Sequence, residues 1–171
     1  NAAAIGALML MARELKAKRN AHDVILVAFG AGHAGQAGAR DFVAKMSADE
    51  IARTDVMYNL ENIYAGDKLY ANAGQNSIRP NYQKDYEKRR KLYEVTDIYY
   101  EYELYSNNKV ALYTNQSTLE TDQNRGKIKA PYREWTTHAS DQLPFDEKGI
   151  PIVFFESYDY DVDSFEAMRE S

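Results

Sequence analysis

Between Ala2 and Lys18 the apolar residues Ile5, Leu8, Met9, Ala12 and Leu15 recur at helical spacing, and Arg13, Lys16, Lys18 and Arg19 gather at the C-terminal end. This predicts an amphipathic helix with cations at the negative end of its dipole. The pattern then changes. Val24-Ile25-Leu26-Val27-Ala28-Phe29 is an unbroken apolar run whose length and β-branched content predict a strand buried on both faces. Gly30, Gly32, Gly35 and Gly38 come next, surrounding His33, and Ala39 to Met46 read as helix. The glycine-dense turn therefore sits where strand passes into helix, and in open α/β sheets sites form at the carboxyl ends of strands. The stretch Asp23–Phe42 is thus the first place to look for a site.

Ser47-Ala48-Asp49-Glu50 has capping-box spacing and starts a short helical turn ending near Arg53. Thr54 to Leu60 predicts a second strand that stops at Glu61-Asn62, and Asp67 to Ala71 a third, before the Gly74–Ser77 loop. Asn81 to Tyr105 is charged and tyrosine-dense. Its first half, to about Leu92, reads as an exposed helix, while Val95 to Leu104 fits either a strand or a prolonged helix. Its tyrosines suit a sugar- or protein-binding face, or simply half-buried helix and strand surface. Val110 to Thr114 is a strand candidate, and Asn115 to Thr137 reads as a long loop of the kind that carries function. Ser140 to Lys148 predicts a helix capped by Ser140 and interrupted by Pro144, and Ile152 to Phe155 a last buried strand ending at Glu156. Strands alternating with helices imply an α/β sandwich in which a mostly parallel sheet lies between helices.

Composition narrows the function classes. A chain of 171 residues suits one domain, residues 1–171, and 44% hydrophobic with 27% charged residues is an ordinary globular balance. The formal net charge of -5 gives no general attraction to nucleic acid or anionic membrane, and no apolar run is long enough to span a bilayer. The absence of cysteine excludes disulfides, thiolate zinc sites and a cysteine nucleophile. The abrupt start at Asn1-Ala2-Ala3-Ala4 is expected of a mature product or an excised fragment.

Four stretches in order resemble the bacterial zinc-dependent aminopeptidases related to glutamate carboxypeptidase and the transferrin receptor. Asn1-Ala2-Ala3 is similar to the residues just after the bridging aspartate of the family's Asp-Asn-Ala-Ser-Gly motif. Val27 to Gly35 resembles the element that normally reads Ala-Phe-Gly-Ala-Glu-Glu-Ala-Gly. Asn59-Leu60-Glu61-Asn62-Ile63 resembles the Asn-Leu-Asp segment, and Ser140 to Phe145 with Gly149-Ile150-Pro151 the Ser-Asp-His-x-Pro-Phe segment. The resemblance implies a three-layer α/β sandwich whose first strands precede Asn1, a secreted or envelope-bound protein, a peptide substrate or ligand, and self-association through the sheet edge left exposed.

It also implies a chemistry. Two zinc ions need carboxylate and imidazole ligands converging from several strand ends, and they acidify a bridging water. In the family the first glutamate of the Glu-Glu pair is the general base and the second a zinc ligand; the matching positions here are Gly32 and His33. The aspartate ligand position falls on Glu61 and the histidine ligand position on Gln142, while a His-x-Asp pair and the bridging aspartate would lie before Asn1. Glu61 and His33 keep atoms able to bind zinc, Gln142 is a poor ligand, and Gly32 has no side chain to accept a proton. The expectation is a metallo-aminopeptidase relative that is catalytically inactive, with zinc absent or weakly held; the alternative is a non-catalytic binding module on the same scaffold. Tyr132, Arg133 and Trp135 are candidates for lining the cleft, or for fixing the long loop to the body.

Plainer roles compete at each position. His33 also reads as an exposed loop histidine, and Glu61 and Glu156 as solvated carboxylates or partners of Arg40 and Arg133. The glycine cluster lacks the spacing of a phosphate-binding loop. His138, Ser140 and Asp141 are close in sequence, which is not the geometry of a hydrolytic triad, and no Gly-x-Ser-x-Gly elbow is present.

Overall fold

The first helix, α1 (Ala2–Lys16), forms where its pattern predicts, with Ala4 buried and Ala7, Leu8 and Leu15 half-buried, but Ile5, Met9 and Ala12 of the expected apolar stripe are exposed. Arg13 and Lys16 occupy its last turn, and the Asn20 side-chain amide donates to the Leu15 carbonyl at 3.1 Å. The protein is represented by a computed structural model that describes residues 2–64, 66, 68–74, 91, 94–95, 98–99, 112–113 and 139–158.

The Val24–Phe29 run is not a strand. Its backbone has no ladder, and Val24, Ile25 and Leu26 are 51%, 75% and 37% exposed. A strand is completed by its neighbours, and among the described residues nothing pairs with this one, so β-branched composition alone does not make it a strand. Its end is anchored: the Phe29 ring meets Phe42 edge-on at 5.6 Å and Phe145 at 5.9 Å.

After the glycine turn come α2 (Ala37–Lys45) and α3 (Ala48–Arg53). The capping box at Ser47 is complete. Glu50 N–H donates to Ser47 Oγ at 3.2 Å, and Ser47 N–H donates to Glu50 Oε2 at 2.7 Å. These reciprocal bonds satisfy two amides that the start of a helix leaves without partners.

Strands β1 (Met57–Leu60), β2 (Lys68–Ala73), β3 (Leu112–Tyr113) and β4 (Ile152–Tyr158) form a sheet ordered β1-β4-β2-β3. β1 runs parallel to β4 with Met57 opposite Ile152, β3 runs parallel to β2, and β2 is antiparallel to β4 with Tyr70 opposite Glu156. The sheet is therefore mixed, where a mostly parallel one was expected. β4 sits inside it, with Ile152, Val153 and Phe154 fully buried, as a near-continuous apolar run requires.

Alternation along β4 builds two cores. Ile152 and Phe154 join Ala39, Val43, Phe145 and Ile150 under α2 and the helix α4 (Leu143–Glu147). Val153 joins Ala71, Ala73 and Leu112 on the opposite face, with Val95 and Tyr99 packed against them. Positions 91, 94, 95, 98 and 99 are helical, so the ambiguous Val95–Leu104 stretch starts as helix; most of Asn81–Tyr105 and all of Asn115–Thr137 lie outside the described residues. Pro144 does not interrupt α4 but stands in its first turn, with Gln142 rather than Ser140 as N-cap, because the first turn has no intrahelical acceptor to lose.

β4 also runs past its predicted end, which changes the reading of Glu156. Its carboxylate is fully buried, facing the α4 side with Tyr70 and Asn72, and Oε1 accepts from Asn72 Nδ2 at 2.7 Å. Arg40 instead pairs with Glu147 at 2.9 Å on the surface.

Two measurements test the capping box. Ser47→Ala is expected to cost about 1 kcal/mol in urea denaturation at neutral pH. Its hydrogen bonds to Ser47 hold Glu50 below the usual carboxylate range, so the native state favours the ionised form. That contribution is present above the unfolded carboxylate pKa and is lost as pH falls through the lowered native one; Glu50→Gln should match the native protein in acid and fall below it at neutral pH.

Candidate functional site

The glycine turn is held by its own backbone. Gln36 N–H donates to the Gly32 carbonyl at 2.9 Å and Gly38 N–H to the Gly30 carbonyl at 3.2 Å, while Ala31, Gly35 and Gln36 adopt positive φ of 59°, 69° and 57°. Gly38 is required there: a Cβ would lie 2.5 Å from the Gly30 carbonyl oxygen, far inside contact distance. Gly32 differs, since a Cβ there meets nothing within 4 Å. Gly32 and His33 are both exposed at the turn's surface.

The C-terminal end of β1 carries the denser group of polar side chains. Asn59, two residues from the core residue Met57, points to the same α4-facing side of the sheet and is 8% exposed. Its Nδ2 donates to Gln142 Oε1 at 2.9 Å and to Ser140 Oγ at 3.2 Å. Ser140 Oγ in turn donates to Glu61 Oε2. The backbone places Glu61 by extending the β1–β4 pairing: Glu61 N–H donates to the Phe155 carbonyl at 3.0 Å. The 140–142 segment is placed by α4, whose Asp146 N–H donates to the Gln142 carbonyl at 3.0 Å and whose Phe145 is buried in the core.

Asp141 completes the group. Burial, and then the negative charge of Glu61, push its carboxyl above the usual carboxylate range. Its Oδ1 is enclosed, with no hydrogen-bond partner among the described residues.

The structure thus gathers Glu61 and Gln142 with Ser140 and Asp141 at one strand end, and places Gly32 and His33 in the separate glycine turn. Tyr132, Arg133 and Trp135 lie outside the described residues. Asn59 gains a role that its motif alone did not assign; the available signal was parity, since a polar residue on the core side of an apolar strand needs partners.

A model of the peptidase family M28 matches residues 1–166. The chain belongs to peptidase family M28. The chain is also 35% identical over 74 residues to the alkaline phosphatase isozyme conversion protein of Escherichia coli (strain K12), a match covering 43% of this chain and 21% of that protein. Among solved structures it is similar to BSAP, a zinc aminopeptidase from Bacillus subtilis. The medium-resolution structure aligns with a TM-score of 0.45 and 19% identity over 84% of this chain and 32% of that one. A second BSAP structure aligns with a TM-score of 0.44 and 21% identity over 80% and 26%. This M28 chain therefore spans about a fifth of the curated relative and under a third of the solved ones.

The motif resemblance implies zinc, and the donor set of the described residues does not fit it. No three His, Cys, Asp or Glu side chains converge among them. The Gln142 oxygen already faces the Asn59 amide, and Glu61 already accepts from Ser140.

The two glycines separate in a simple comparison. Gly38→Ala should destabilise the protein by roughly 1–3 kcal/mol, because a backbone carbonyl must move. Gly32→Ala should stay within about 0.5 kcal/mol, and thermal unfolding of both variants measures the contrast.

Proposed function

We propose that this chain provides the scaffold of an M28 aminopeptidase-type domain that engages peptides without hydrolysing them efficiently. The carrying observation is Gly32. By the motif resemblance it stands at the general-base position, and a glycine supplies no proton acceptor for a water nucleophile. Loss of a general base removes a factor of roughly 10²–10⁴ by itself. The Asn59–Gln142 and Ser140–Glu61 hydrogen bonds support the same reading, because they engage side-chain oxygens at two of the positions that the resemblance assigns to metal coordination.

In this reading the sheet with helices on its faces is a single three-layer sandwich, a view supported by the cores on both sides of β4. The peptide site is the region beyond the β1 carboxyl end, beside the parallel β1–β4 pair, a position favoured for sites in open sheets. Tyr132, Arg133 and Trp135 belong to the same proposal as contacts for the peptide's termini.

The open space around Gly32 makes a restoration experiment feasible. The full-length protein is assayed on aminoacyl-nitroanilides with zinc, beside a variant carrying Gly32→Glu, His33→Glu, Glu61→Asp and Gln142→His. The native protein should turn over at least about 10²-fold more slowly than the restored one. Efficient native turnover with stoichiometric zinc contradicts the proposal. Restoration that yields neither zinc binding nor activity contradicts the assignment of these positions.

A further inference from the structure

We propose that Asn59 forms a hydrogen-bonded clamp that stands in for a metal cross-link, joining the end of β1 to the segment leading into α4 without zinc. The inference rests on the reading of Glu61 and Gln142 as the family's ligand positions. A dinuclear centre ties strand ends together by sharing ligands from each. Here the corresponding side chains are tied by protons instead.

The geometry is a continuous chain of four residues. Gln142 Oε1 accepts from Asn59 Nδ2 at 2.9 Å, the same Nδ2 donates to Ser140 Oγ at 3.2 Å, and Ser140 Oγ donates to Glu61 Oε2. It bridges positions 81 and 83 residues apart in sequence. Asn59, Ser140 and Gln142 are 8%, 9% and 3% exposed, so water competes little for these bonds.

The chemistry opposes a cation at this point. An asparagine NH₂ carries only donors, and here it is aimed at the oxygen that a metal would need. Both outer members come from backbone fixed by other contacts, Glu61 by β4 and Gln142 by α4, so the clamp closes between two prearranged supports. Asn59 is a positioning residue: it orients the Ser140 and Gln142 side chains, whose backbone α4 holds.

The test reads stability and local opening, not activity, so it is distinct from the turnover assay above. The native protein's unfolding midpoint should differ by less than about 1 °C between zinc and EDTA. Asn59→Ala should lower the midpoint by about 5 °C, and zinc should not restore it. In that variant, hydrogen exchange should quicken at the Leu143 and Asp146 amides, which donate to Ser140 and Gln142, while the Tyr70 and Ala71 amides of β2 keep their protection. If Asn59→Ala does not fold, Ser140→Ala, which leaves the Asn59–Gln142 bond intact, should show the same local pattern with a smaller midpoint change. A zinc-raised native midpoint, an unchanged midpoint in both variants, or exchange that rises uniformly would overturn the clamp. Peptide turnover by the native protein, with no stability gained from zinc, would instead overturn the functional reading alone.

Discussion

The buried Asn59 amide, together with the Ser140 hydroxyl that donates to Glu61, connects the two halves of the candidate site. It donates to Ser140 and Gln142 from the end of β1, and both acceptors precede α4, whose Phe145 ring is locked into the main core against Phe29 and Phe42. The connection works because each side is independently rigid. The parallel β1–β4 register sets Asn59 opposite Phe154 and carries on to the Glu61 amide, while α4 and the Gly149 turn, at φ 82°, return the chain into β4. Burial removes water as a competing partner, so an unmade bond here would leave an acceptor stranded at a cost of about 1–3 kcal/mol.

The same α4-facing side of the sheet carries a second polar arrangement at β2 and β4. Asn72 donates to the fully buried Glu156, and Gly74 lets the Asp146 carboxylate approach the end of β2, with Oδ1 2.5 Å from where a Cβ would stand. Polar groups placed this deep are tolerated when hydrogen-bonded, and they restrict which packings of α4 on the sheet are acceptable. The opposite face is apolar, with Ala71, Ala73, Leu112 and Val153 at its centre. Specific orientation is therefore concentrated on the side from which the β1 end and the 140–142 segment project.

Features fixed by neighbouring residues were legible in the sequence. The α1 pattern, the Ser47–Glu50 capping box and the helix after the glycine turn depend on contacts three or four residues apart, which spacing reveals directly. Val24–Phe29 was misleading because a strand is a relationship with another strand, and its composition resembled one without supplying the partner. Glu156 was assigned to a strand end because charge usually marks one; Asn72, on a facing strand, is what permits the carboxylate to lie within the sheet. The motif resemblance pointed to the family that the M28 match shows, and the structure brings two of the positions it singled out, Glu61 and Gln142, to one strand end. What spacing did not reveal is the role of Asn59, since its acceptors are 81 and 83 residues away.

In the proposed clamp, hydrogen bonds occupy the place at which the family's motifs would hold metal. The most direct measurement is the zinc content of the full-length protein, purified without chelator from zinc-supplemented cells and determined by elemental mass spectrometry. Far less than one zinc per chain is expected, unchanged by dialysis against EDTA. One or two tightly held zinc ions per chain, lost together with Glu61→Ala, would contradict it.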